Sequence, residues 1–100
     1  MFYTYVLLGT NDHWYIGFTT DLRRRVKEHN QGSNFSTRPH RPLTLVYYEA
    51  CLDRTDTERR EKYLKTTQGG RLLKRRLKEY TYKMKSEKKL ESRNSTTGYG

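Results

Sequence analysis

The sequence predicts a small α/β domain of the α+β type: a three-stranded, mostly antiparallel sheet flanked by helices, in the order ββαβαα. Three observations carry this reading. Two runs dense in aromatic and β-favouring residues, 2–8 and 13–18, flank the turn-forming Gly9-Thr10-Asn11-Asp12, so they read as a hairpin. Apolar residues then recur at helical spacing, Leu22 with Val26 and later Leu73, Leu77, Tyr80 and Met84. Finally, 100 residues of which 32% are hydrophobic can enclose one lean core and no more.

Taken in order, Phe2 to Leu8 is the first strand and His13 to Phe18 the second, with Gly17 inside it as a mark of close backbone approach or a bulge. Asp21 is a good N-cap for a helix to about Asn30, which Gln31-Gly32 ends. Residues 31–43 form a polar loop holding Pro39 and Pro42, and Thr44 to Ala50 is a third strand. Thr55-Asp56-Thr57-Glu58 fits a capping box, so a second helix is expected from Thr55 to about Lys65, broken by Gly69-Gly70. The stripe of Leu73, Leu77, Tyr80 and Met84 gives a third helix. Past Lys85 that periodicity ends, so 1–84 is read as the domain and 85–100 as a basic, disordered tail.

Charge narrows the partners. Twenty-one Lys and Arg against 11 Asp and Glu give +10 at neutral pH, a field that favours a polyanion. Nucleic acid fits it better than an anionic membrane surface, since no strongly amphipathic hydrophobic face accompanies the charge. No apolar run is long enough to span a bilayer, and a lone Cys51 suits a reducing compartment, so a cytoplasmic location is expected.

Several polar residues fall where packing does not demand them. Tyr3 and Tyr5 share one strand face, and a suitable hairpin register brings Tyr15 beside Tyr5, though the sequence leaves that register open. Arg25 and His29 lie one helical turn apart along or beside the Leu22–Val26 stripe, and an inward arginine needs an anion. Glu61 sits near the face of Leu64, yet it also pairs with Lys65 at i, i+4 in the favourable order. Phosphate contacts are expected from Arg24, from Arg38, His40 and Arg41 in the loop, and from Arg71, Lys74 and Arg75, with Gly17 admitting substrate backbone.

Tyr15-Ile16-Gly17, Asp21-Leu22-x-x-Arg25-x-x-x-His29 and Arg60-Glu61-Lys62-x-Leu64-Lys65 together resemble the GIY-YIG nucleases, in particular small stand-alone members related to the excinuclease nicking domain. The resemblance runs from about Phe2 to Leu77. It implies phosphodiester hydrolysis with one divalent ion, Mg²⁺ or Mn²⁺, bound by Glu61. It also implies that Tyr5 deprotonates or orients the attacking water, that Arg25 steadies charge on the phosphate, and that His29 supports the base or the phosphate. The chain departs from the pattern at Tyr3-Thr4-Tyr5, where only the last residue matches, and at Phe18, where several members carry lysine. The function expected is an endonuclease acting on DNA ahead of RNA and directed by substrate structure. No appended base-reading domain is expected, so a protein partner could supply targeting. A nuclease-like binding module without useful turnover is the alternative, and the oligomeric state is left open.

Overall fold

The computed structural model describes the backbone of residues 1–97 and the side chains of residues 1–90. Strands β1 (Phe2–Leu8), β2 (Trp14–Thr19) and β3 (Thr44–Cys51) form one sheet in the order β2-β1-β3, antiparallel throughout. With partners on both edges, β1 is the core of the molecule, and Thr4, Tyr5, Val6 and Leu7 are buried. Side chains alternate along it, so each face receives its own cover. Tyr5 and Leu7 pack with Leu43 against Leu22 and Val26 of helix α1 (Leu22–Asn30). Val6 packs on the opposite side with Leu64 of α2 (Arg54–Leu64) and Leu73 of α3 (Thr67–Arg76). Thr4, on that same side, donates its hydroxyl to the Thr57 carbonyl at 3.1 Å.

The strand and helix order expected from the sequence is present, and four local details differ. The hairpin connection is one residue longer than expected, since β2 starts at Trp14 and not His13. Thr10–Asp12 forms a short 3-10 turn with Asn11 and Asp12 at φ near +58° and +57°, conformations that short polar side chains tolerate. Helix α2 starts at Arg54 and not Thr55, because Asp53 caps it by accepting from the Asp56 N–H at 2.9 Å.

Gly69-Gly70 does not end a helix. Both residues lie in the first turn of α3, whose N-cap Thr66 accepts from the Gly69 N–H at 3.1 Å. A Cβ at Gly69 would overlap the Tyr63 carbonyl and Leu64 Cα, so the glycine serves close contact between α2 and α3. Last, the segment 85–97 read as disordered continues helix α4 (Lys78–Thr97), since no Gly or Pro interrupts residues 78–97. Residues 98–100 of that expected tail lie outside the described residues. The Leu73–Met84 stripe therefore spans two helices that meet at Leu77.

Candidate active site

The hairpin register decides where the tyrosines go. Tyr5 pairs with Gly17 and Leu7 with Tyr15, which places Tyr5 and Tyr15 diagonally on one face with ring centroids 6.2 Å apart. Gly17 is required by this arrangement: a Cβ there would overlap Cζ and Oη of Tyr5. Helix α1 delivers the other groups. Its N-cap Asp21 accepts from the Arg24 N–H at 3.2 Å, and Leu22 and Val26 on the sheet set the rotation that turns Arg25 and His29 inward.

His29 and Arg25 converge on the Tyr5 hydroxyl, with Tyr15 beside them. His29 Nε2 lies 2.9 Å from Tyr5 Oη, and Arg25 Nε–H donates to the same oxygen at 3.3 Å. Tyr15 stands edge-on to the His29 ring with centroids 4.9 Å apart. Tyr5 and His29 are fully buried, whereas Arg25 keeps its side chain 31% exposed and Tyr15 is half-buried. The site thus runs from a closed floor to an open rim.

Burial also sets the protonation states. Tyr5 is pushed up to about 12 chiefly by burial, which outweighs the hydrogen bond from Arg25 that would lower it. His29 falls below the ordinary imidazole value, first by burial and then by the Arg25 charge. Burial works against the charge on Arg25, but its bond to Tyr5 and the surrounding oxygens raise its pKa overall. At neutral pH the floor is therefore a neutral phenol and a neutral imidazole beside a fixed guanidinium.

Glu61 approaches from α2 and belongs to this electrostatic environment, since its charge acts on Tyr5. Its side chain is 19% exposed and meets Lys65 Nζ at 2.8 Å, so the alternative pairing weighed in the sequence also forms. Among the described residues no three His, Cys, Asp or Glu side chains cluster as metal ligands. One carboxylate still suits Mg²⁺, which binds through one or two carboxylates and keeps several waters. The donor set fits such an ion, with Glu61 as the residue that would hold it.

The expected phosphate contacts divide into three groups. Arg71, Lys74 and Arg75 line an open groove of about 640 Å³ with Tyr63 and Gln68. Arg24 stays on the solvent side of α1, 76% exposed and loosely paired with Glu28. The loop residues are occupied with structure: Arg38 Nε–H donates to the Gly32 carbonyl at 2.8 Å and Arg41 Nε–H to the Arg38 carbonyl at 3.0 Å. His40 stacks on His13 with centroids 3.7 Å apart. Two residues escaped the sequence reading. Thr37 Oγ1 meets His29 Nδ1 at 2.8 Å, and Asn34 Nδ2–H donates to Tyr15 Oη at 3.5 Å. The available signal was Asn34 followed by Ser36 and Thr37, the composition of a side-chain-capped turn.

A paired-tyrosine hairpin with a helix-borne arginine and histidine on one face is the arrangement of a nuclease-type domain. The chain belongs to the GIY-YIG catalytic domain family, whose model matches residues 1–72. It is 37% identical over 65 residues to a UPF0213 protein of Desulfotalea psychrophila, covering 63% of this chain and 59% of that protein. It is 36% identical over 84 residues to a UPF0213 protein of Streptococcus pneumoniae, covering 71% and 85% respectively. The solution structure of the UPF0213 protein BH0048 from Bacillus halodurans matches with a TM-score of 0.47 and 32% identity, over 73% of this chain and 82% of that one. The chain thus spans less than two thirds of the length of the first of these relatives. The family implies a nucleic-acid substrate and, in general, dependence on a divalent metal. No helix among the described residues is long and apolar enough to cross a membrane.

Proposed function

We propose that this domain is a Mg²⁺-dependent endonuclease that cuts DNA in a structure-directed manner, using Tyr5, Tyr15, Arg25, His29 and Glu61. The observation that carries the reading is the Tyr5 oxygen held between His29 Nε2 and Arg25 Nε, with Gly17 leaving room for the Tyr5 ring. A buried phenol and a buried imidazole packed against a partly exposed guanidinium are the kind of perturbed cluster that concentrates at functional sites.

The roles follow from access and charge. Arg25 spends Nε on Tyr5, and the end of its guanidinium at the rim meets a phosphate oxygen. Tyr15, the less buried of the two tyrosines, takes the water-orienting role that the family resemblance places on Tyr5. The buried Tyr5 keeps its proton and holds Arg25 and His29 in line. Glu61 would hold the divalent ion once Lys65 releases it, and the ion supplies positive charge to the phosphate and leaving oxygen. Phosphoryl transfer needs mainly positioning and electrostatic stabilisation, so this set is sufficient. The basic groove at Arg71, Lys74 and Arg75 then grips backbone without reading bases.

The test is incubation of the purified protein with duplex, single-stranded, flap and mismatched DNA and matching RNA, with Mg²⁺, Mn²⁺ or chelator. Metal-dependent cutting of a branched or mismatched DNA above the other substrates supports the proposal. Tight binding with no cutting of any substrate would favour the accessory binding module.

A further inference from the structure

Thr37 is fully buried, and its hydroxyl has one hydrogen-bond partner among the described residues, His29 Nδ1 at 2.8 Å. The loop that carries it is built before any substrate arrives. Asn34 Oδ1 accepts from the Ser36 N–H at 3.0 Å, the Thr37 N–H at 3.2 Å and the Ser36 hydroxyl at 2.8 Å. The Thr37 carbonyl in turn accepts from the His40 N–H at 2.9 Å. The Thr37 hydroxyl therefore meets the second nitrogen of a buried imidazole, where it can either donate or accept, and the partners of the two nitrogens together decide which one carries the proton.

Two tautomers satisfy the distances. With the proton on Nε2, that nitrogen and Arg25 Nε would both donate to Tyr5 Oη, and the phenol O–H would remain buried with no acceptor. With the proton on Nδ1, the phenol O–H donates to Nε2, Arg25 donates to the phenol oxygen, and Thr37 Oγ1 accepts from Nδ1–H. Only the Thr37 O–H then lacks an acceptor. A phenol is the stronger donor of the two hydroxyls, and the cost of an unmade bond rises with donor strength, so the second arrangement wins.

We propose that Thr37 is a positioning residue, accepting from His29 Nδ1–H so that the Nε2 lone pair is committed to the Tyr5 hydroxyl. This deepens the proposed catalytic site and rests on that reading for its consequence in turnover. Its structural content is independent of whether the protein cuts anything.

The experiment has two readouts. Two-bond ¹H–¹⁵N correlation spectra of ¹⁵N-labelled protein at neutral pH report the His29 tautomer directly, and the expected result for the wild type is Nδ1–H. Thr37→Val, which removes the acceptor at nearly constant volume, is expected to move His29 toward Nε2–H, while Thr37→Ser keeps the wild-type pattern. On whichever substrate the wild type cuts, Thr37→Val should lower kcat at least ~10-fold with KM little changed, as for other residues that orient a functional imidazole, and Thr37→Ser should restore it. An Nε2–H tautomer in the wild type overturns the proposal, whether or not the valine variant folds. So does a folded Thr37→Val protein whose His29 remains Nδ1–H. A wild type with the expected tautomer and no cleavage on any substrate would refute the nuclease reading while leaving the Thr37 geometry in place.

Discussion

Gly17 and His29 show how far single atoms govern this site. Placing a methyl on Gly17 drives it into the Tyr5 ring, which is locked by burial and by bonds to His29 and Arg25. Gly17→Ala is therefore expected to cost about 1–3 kcal/mol, as overpacking does, readable as a lower denaturant midpoint. The buried titratable groups predict a pH profile for folding. His29 has a lowered pKa in the fold, so below the ordinary value of 6.5 the unfolded chain binds a proton that the folded one resists. Stability is then complete above that value and declines as the pH falls from it. Tyr5, raised from 10.0 to about 12, acts at the other end: its contribution is intact below 10 and is lost as the pH climbs toward 12. Denaturant titrations between pH 4 and 12 should show both shoulders, and Tyr5→Phe should flatten the alkaline one. Arg25 and His29 were legible because helical spacing and the Leu22–Val26 stripe fix their direction. Thr37 and Asn34 were not, because residues in a loop have no period and their contacts depend on the loop's closed shape.

At the scale of elements, the same contrast recurs. The three strands and α1 were legible from composition and caps, since β1 is buried on both faces and reads as a nearly continuous apolar and aromatic run. Gly69 was misread because glycine at a helix end and glycine at a helix crossing look alike in sequence. Only the approach of the Tyr63 carbonyl separates the two. The part of helix α4 beyond Lys85 was missed for another reason. Its residues favour helix locally, but without an apolar stripe after Met84 there was nothing to suggest that it is held. The contact from α4 back to the hairpin is the ion pair of Lys88 with Asp12 at 2.7 Å, both side chains at least half exposed. Such surface pairs are worth about 0–1 kcal/mol. Truncation after Met84 should therefore leave a cooperative melting transition with only a small shift, checked by calorimetry. A lost transition would mean that residues 85–97 belong to the folding unit.

The whole molecule is a small sheet with α1 packed on its Tyr5 face and α2 and α3 on its Val6 face, and its sequence is strongly basic. With +10 net charge, and the basic groove on α3, association with nucleic acid should be dominated by counterion release. If ~4 to 6 phosphates are engaged, raising salt from about 50 to 200 mM should weaken binding ~100-fold or more. A flat response in a fluorescence anisotropy titration would remove the electrostatic basis for substrate capture.

The proposed nuclease needs Glu61 to hold a metal and not merely to pair with Lys65. Measuring cleavage and binding side by side for Glu61→Gln tests it most directly. The substitution keeps shape and helix propensity while removing the charge that would hold the ion. Cleavage is expected to fall at least ~100-fold, the scale of losing one strong transition-state stabiliser, while affinity for nucleic acid stays equal or rises as a negative charge leaves. If Glu61 served only its ion pair with Lys65, the change would cost a few tenths of a kcal/mol of stability and leave cleavage intact, and that result would contradict the account.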